Sequence, residues 1–282
     1  MSYDILDEFS LEMTGKDVPS LDQARTLLPA GTRVNVTYLG NENFQLRRTA
    51  IRAIASGGLT PVPHISARRL PSQQALEEFL AALREDGTAR DVFVVGGDPA
   101  QPEGPYSSSL DVIRSGLLEK YGVGSVSISG YPEGHPEITD DLLWSALTDK
   151  SREVARRGIV GDVITQFSFN ADAVVAWIGQ VRSRGITLPI RVGVPGPAGV
   201  KRLLTFAGRF GVASSTGIAR KYGLSLTNLL STAGPDRFIR QLSDRLDEHH
   251  GEVRLHFYTF GGLQATAAWI REFPAKGLSR PA

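Results

Sequence analysis

The feature that most constrains this chain is an alternation. Short β-branched runs recur along it, each followed by a longer stretch with helical periodicity. The strand-like runs are residues 9–13 (FSLEM), 33–38 (RVNVTY), 60–65 (TPVPHI), 91–95 (DVFVV), 125–129 (SVSIS), 162–166 (DVITQ), 190–194 (IRVGV) and 253–258 (VRLHFY). Segments such as DVFVV are nearly continuous in apolar residues, which suits strands buried on both faces of a parallel sheet. Helical stripes fall at 44–56, 72–85, 108–121, 140–157, 172–184, 198–210, 235–249 and 262–273. Ser72, after Pro71, is placed to cap its helix. Eight strands alternating with helices predict an α/β chain folded as one (β/α)8 TIM barrel over residues 1–282. A doubly wound open sheet is the alternative. The lack of a GxGxxG after the first strand weighs against its dinucleotide-binding form.

Composition narrows the function. The 31 Lys+Arg and 30 Asp+Glu nearly cancel, leaving a net charge of +1 and no basic footprint for nucleic acid. Without cysteine there can be no disulfide, thiolate metal site or cysteine nucleophile. No apolar run approaches the roughly 20 residues that span a bilayer. Residues 1–7 lack the basic and apolar regions of a secretory signal. The expectation is a cytoplasmic protein with no membrane partner. Residues 277–282 read as a frayed tail.

Barrel function sits at the C-terminal ends of the strands. That rule selects Glu12, Thr37, Tyr38, His64, Gly96, Gly97, Asp98, Tyr131, Glu133, His135, Gln166, His256 and Tyr258. Glu12 at an apolar strand end suits a general acid, or a rim carboxylate bonded to Lys16. The GGDP turn lets backbone approach a ligand, with Asp98 accepting hydrogen bonds, or is simply an Asp-capped turn. In YPEGHPE (131–137) two prolines stiffen a loop carrying an aromatic ring, two carboxylates and an imidazole. One local histidine is a poor basis for a metal site, and none is expected. Gln166 can read a planar donor–acceptor edge such as a pterin, or bond a neighbouring strand.

Taken in order, SLE (10–12), VTY (36–38), PHIS (63–66), GGDP (96–99), YPEGHPE (131–137), DVITQFSF (162–169) and LHFYT (255–259) resemble the methylenetetrahydrofolate reductase family of bacterial type. The resemblance covers roughly residues 9–272. It implies a (β/α)8 barrel that reduces 5,10-methylenetetrahydrofolate to 5-methyltetrahydrofolate, with NADH or NADPH as donor and hydride passing through bound FAD. By motif, Glu12 matches the general acid, Asp98 a pterin contact that tunes the flavin, and Gln166 a pterin and nicotinamide contact. Phe206 matches an aromatic that packs on substrate, with Arg202 as a further candidate on the folate side. Thr37, His64, Gly97, Tyr106, Ser107, Tyr131, His135 and Asp141 match flavin-contacting positions.

The departures are specific. Gly96 replaces an arginine near the flavin. The lysine after YPEGHPE has only Lys150 as a loose counterpart. Arg202 replaces a glutamine, and Lys201 and Arg202 are candidate substitute cations for the folate tail. Gly261-Gly262 replace an Asn-Arg pair on the folate side, and Met13 to Lys16 replace Phe-Phe-Pro-Pro. Two lost cationic contacts to a diphosphate make weak FAD retention an expectation, since charge-assisted hydrogen bonds contribute about 1.5–3 kcal/mol each. Three alternatives therefore stand: flavin-free hydride transfer from NADH to folate, a folate- or flavin-binding partner of a one-carbon enzyme without reductase activity, and a methyltransferase using methyltetrahydrofolate. The sequence leaves open NADH against NADPH, a homo-oligomer against a monomer, and methionine synthesis against one-carbon catabolism.

Overall fold

The computed structural model describes residues 5–40, 42–209 and 232–273. Eight parallel strands close into a barrel: β1 (Ser10–Met13), β2 (Arg33–Val36), β3 (Thr60–Ser66), β4 (Asp91–Val95), β5 (Ser125–Gly130), β6 (Val160–Phe167), β7 (Ile190–Pro195) and β8 (Val253–Tyr258). Each strand pairs with its sequence neighbours, and β1 closes the ring against β8 through Ser10↔His256 and Leu11↔Phe257. The predicted (β/α)8 architecture is the one found.

Alternation along each strand sorts side chains into two cores. Outward residues such as Leu11, Met13, Val34, Val36, Ile65 and Leu255 are buried beneath the helices. Inside the barrel a second, small apolar cluster of Val62, Phe93 and Ile164 forms a waist, with Val95 packed against it. Below the waist lies an ionic floor. Arg33 bonds Asp91 at 2.7 Å and lies 3.7 Å from Asp162, which Arg191 holds at 2.7 Å. Burial penalises the Asp162 carboxylate, but the charges of Arg33 and Arg191 and hydrogen bonds from Ser127 and Arg191 outweigh it and lower its pKa. Above the waist the interior turns polar again, and that end is the mouth.

The helices follow local capping chemistry. In α2 (Phe44–Ser56) Asn43 accepts from the Leu46 amide, and in α3 (Gln73–Glu85) Ser72 accepts from the Ala75 amide. In α7 (Ala171–Ser183) Asn170 caps in the same way, and α6 (Asp140–Arg156) precedes it. Four readings needed correction. A helix α1 (Val18–Ala24), with proline in its first turn, follows β1 where none was expected. The helix expected over 108–121 is two, α4 (Ser109–Arg114) and α5 (Leu117–Lys120), because Gly116 at φ 74° breaks it. The segment 198–210 opens on an extended pair, Ala198–Gly199, hydrogen-bonded to Thr232–Ala233, before α8 (Val200–Arg209). The segment 235–249 is shorter, α9 (Asp236–Arg245), and is followed by extended Leu246. The last helix, α10, is Leu263–Glu272. The expected tail at 277–282, and position 210, lie outside the described residues.

Candidate active site

The polar mouth is assembled from β1, β2, β3, β6 and β8. Because Ser10 and Glu12 share the inward face of β1, and Glu12 pairs in register with Asn35, both side chains enter the barrel. Glu12 Oε2 lies 3.5 Å from His256 Nε2 and 3.9 Å from His64 Nε2, and its side chain keeps 18% exposure. Both separations exceed a good hydrogen bond, so the carboxyl group can still turn to a ligand. Lys16 lies within the turn that Thr14 and Asp17 cap reciprocally, and among the described residues it forms no ion pair with Glu12.

Each imidazole has a polar partner besides Glu12. Ser10 Oγ lies 2.8 Å from His256 Nδ1, and Asn35 Nδ2 lies 3.3 Å from His64 Nε2. Burial pushes His64 down to about 4, against the pull of the Glu12 carboxylate and with help from the charges of His256 and Arg47. His64 is therefore neutral at pH 7. His256 is fully buried, and its Nε2 has no hydrogen-bond partner among the described residues. Thr259 donates to the Glu12 carbonyl at 2.7 Å, and Thr37 to the Met13 carbonyl at 3.3 Å, fixing both ends of β1's last turn.

Gln166 owes its placement to a break in register. The β6–β7 pairing shifts between Ile164 and Phe167. Gly193 permits this: a Cβ there would stand 2.5 Å from the Thr165 carbonyl oxygen. The Gly193 amide donates to Thr165 Oγ1 at 2.8 Å, and the Phe167 amide donates to Gln166 Oε1 at 3.0 Å. The amide nitrogen of Gln166 is thus its donor end for a ligand. Tyr258 donates to the Thr165 carbonyl at 3.0 Å, and burial, with the nearby Glu12 and Tyr131, raises its pKa well above 10. Phe206 of α8 stacks on Phe260, centroids 4.2 Å apart at 10°, and Phe260 meets Phe167 and Tyr258. These rings make an apolar wall beside Gln166.

The loops after β4 and β5 are tied down differently. Asp98 is exposed but takes both guanidinium contacts of Arg69, at 2.7 and 2.8 Å, and Arg69 also lies 3.6 Å from Glu103. A Cβ on Gly40 would stand 2.6 Å from the Arg69 guanidinium carbon, so this side chain stretches between the loops after β2 and β4. Its neighbour Arg68 donates to the Ser107 and Pro99 carbonyls. The replacement of arginine by Gly96 therefore does not leave this loop without cations; the β3 end supplies two. Gly97 at φ 97° needs its missing side chain, since a Cβ would meet Ser66 Oγ at 2.3 Å.

In the YPEGHPE loop Tyr131 and His135 meet edge to face at 5.5 Å, and Glu133 accepts from Ser168 Oγ at 2.5 Å, pinning the loop to the end of β6. His135 Nδ1 accepts from the Glu137 amide. Tyr106 is buried, Ser107 bonds Asp111, and Asp141 is exposed in the first turn of α6. Arg202 and Lys201 are exposed on α8. Lys150 is buried, its pKa pushed down to about 8. It lies ten residues along α6, about 15 Å from that helix's start at the mouth, and does not replace the missing lysine.

The structure thus brings together Glu12, His64, Gln166, Phe206 and the ends of β2 and β8. It sets Asp141, Ser107 and Arg202 apart from them in other contacts or in solvent. Sequence reasoning missed Ser10, Asn35, Arg47 and Arg69. For Ser10 and Asn35 a partial signal existed, since polar residues at alternate positions of an otherwise apolar strand share one face. Among the described residues no group of His, Asp and Glu is arranged to hold a metal, and no helix is long and apolar enough to cross a membrane.

A barrel whose mouth sets one carboxyl group between two buried imidazoles, beside a glutamine and an aromatic wall, defines a TIM-barrel protein with an acid at its mouth. The family model described as methylenetetrahydrofolate reductase matches residues 8–271, and the chain belongs to that family. A 5,10-methylenetetrahydrofolate reductase of Pectobacterium carotovorum is 28% identical over 193 residues, covering 67% of this chain and 61% of that protein. Methylenetetrahydrofolate reductase (NADH) 1 of Arabidopsis thaliana is 25% identical over 160 residues, 51% of this chain but 26% of the plant protein. The match thus spans about a quarter of the plant relative's length. Among solved structures, a Clostridium thermocellum protein that binds two copies of 5-methyl-5,6,7,8-tetrahydrofolic acid superposes with a TM-score of 0.62 at 12% identity, covering 95% of each chain. That likeness is one of fold.

Proposed function

We propose that this chain reduces 5,10-methylenetetrahydrofolate to 5-methyltetrahydrofolate, with NADH or NADPH as the hydride donor and Glu12 as the general acid. The observation that carries the reading is the Glu12 cluster in a chain of this family. A carboxyl group at a strand end, with a neutral imidazole at 3.9 Å and an uncommitted imidazole nitrogen at 3.5 Å, is built to hold and release one proton. Glu12 gives that proton to the folate nitrogen that leaves the methylene carbon, opening the five-membered ring. The resulting iminium accepts hydride from the nicotinamide ring, yielding the methyl group and oxidised nucleotide. Gln166 offers its amide to the pterin edge, and the Phe206–Phe260 stack offers an apolar face to the substrate or nicotinamide.

The residues present do not fit a resident FAD. None of the positions matched to flavin contacts is a lysine or arginine, and the two arginines that follow β3 are already engaged, Arg69 by Asp98 and Arg68 by the Ser107 and Pro99 carbonyls. The Arg69 side chain lies across the gap between Gly40 and Asp98. A resident cofactor must be held tightly, whereas a co-substrate used at high concentration can leave part of its charge in water. Direct hydride transfer from nicotinamide to folate is therefore the reading we favour over the flavin route.

The visible absorption spectrum of the freshly purified protein, before and after FAD is added and desalted away, separates the two. A colourless protein that oxidises NAD(P)H only when methylenetetrahydrofolate is present supports direct transfer. Flavin bands that survive desalting would reinstate the flavin route. Folate binding without any oxidation would make the chain a binding partner, not a reductase.

A further inference from the structure

We infer that the cavity between the ends of β2 and β3 and helices α2 and α3 is an oxyanion subsite, built around Arg47, that takes a phosphate of the nicotinamide nucleotide. The inference rests on the nucleotide being a co-substrate. The cavity holds about 230 Å³, has an apolar wall that includes Phe44 and Phe79, and takes Arg47, Ser66, His64 and the Asp98-paired Arg69 among its polar groups.

Arg47 is 6% exposed. Its guanidinium carbon sits 3.8 Å over the Tyr38 ring and 5.2 Å from the Phe79 ring, so the two aromatics orient it without neutralising it. Its Nε has no hydrogen-bond partner, and among the described residues it makes no ion pair. The contrast with its neighbour is sharp: Arg48 bonds Asp86 twice and Glu85 once. On the barrel floor, buried Arg191 and half-buried Arg33 are paired as well. Of the carboxylates near Arg47, Glu42 gives one oxygen to the Gly15 amide, leaves the other without a hydrogen-bond partner and acts on Arg47 through its charge but not through an ion pair, while Glu78, at the exposed edge of the cavity, accepts from Gln74. A buried cation left unpaired is unfavourable, and proteins keep one where a ligand completes it. The planar fork suits a phosphate.

Position selects the source. His64 both lines the cavity and faces Glu12, so the subsite adjoins the acid. A dinucleotide with its nicotinamide at the mouth can reach this wall with a phosphate. The folate, running along the Phe206 wall by β7 and β8, would place its carboxylates on the other side.

The test is calorimetric titration of the full chain with sodium pyrophosphate, with NADH and NADPH, and with folate substrate, for the wild type, Arg47→Met and Arg47→Lys. The wild type should bind pyrophosphate. Arg47→Met should weaken pyrophosphate and nucleotide alike by about tenfold or more, with folate little changed. Arg47→Lys, which keeps the charge and is the safeguard should the methionine variant unfold, should fall between. Three results would overturn the inference: unchanged pyrophosphate affinity in Arg47→Met, loss of pyrophosphate with nucleotide affinity intact, or loss of folate affinity instead. Binding is read without turnover. Arg47-dependent nucleotide binding in a protein that reduces no folate would sink the reductase reading alone. An active reductase with Arg47-independent nucleotide binding would sink this inference alone.

Discussion

Replacing Glu12 by glutamine removes a transferable proton and almost nothing else. The amide has the same shape, stays at the end of β1 and still faces His256 and His64. General acids contribute about 10²- to 10⁴-fold to rate. Two features of the mouth set where in that range this one falls. His64, held at about 4, is a neutral imidazole at pH 7, and its Nε2, the nitrogen that faces Glu12, accepts from Asn35 and has no proton to lend. His256 Nε2, only 3.5 Å from the Glu12 carboxyl, can lend one if Ser10 donates to its other nitrogen. A partial substitute of this kind places the loss at about 10²- to 10³-fold, about 3–4 kcal/mol in the barrier. The assay is single-turnover oxidation of NAD(P)H with methylenetetrahydrofolate, at saturating concentrations of both. Folate affinity and the melting temperature should stay close to those of the wild type, since no packing changes. A rate loss smaller than about tenfold would refute the assignment of Glu12 as the acid.

Two further outcomes follow from the scaffold. Asp162→Ala leaves the buried Arg191 and half-buried Arg33 with only Asp91 between them, and should lower stability by about 3–5 kcal/mol in urea unfolding. Because the folded state depresses the Asp162 pKa, its contribution is present above the unfolded carboxylate value and is lost as pH falls through the folded one. The variant should therefore lose less stability than the wild type on acidification, and an equal loss in both proteins would contradict this. Gly193→Ala sets a methyl group against the Thr165 and Gln166 backbone. It should cost about 1–3 kcal/mol, and the accompanying shift of Gln166 should weaken folate binding, both absent if β6 and β7 can separate freely.

Much of this fold was legible because each strand run is bounded by turns and followed by a helical stripe. The register that closes β1 on β8 is what the barrel arithmetic requires. Gly116 was one of the exceptions. In sequence it sits inside a plausible helix, and only its left-handed backbone reveals the break. The candidate site was legible where a motif fell at a strand end, as with Glu12 and Gln166. Ser10, Asn35 and the ionic floor were not, because alternation within a four- or five-residue strand tells which residues share a face but not which face is the interior. Arg47 and Arg69 escaped for another reason. Arg47 lies on α2 and Arg69 in the helical turn that follows β3, and their importance comes from partners far along the chain, or from the absence of one.

The central claim is that hydride passes directly from nicotinamide to folate in this mouth. The measurement is the fate of deuterium carried at C4 of the reduced nicotinamide, read by mass spectrometry of the methyltetrahydrofolate formed in one turnover by the desalted protein. Direct transfer predicts that, when the transferring face is labelled, the deuterium appears in the product methyl group without dilution by solvent. Loss of the label to water, or oxidation of the nucleotide without folate, would contradict the account.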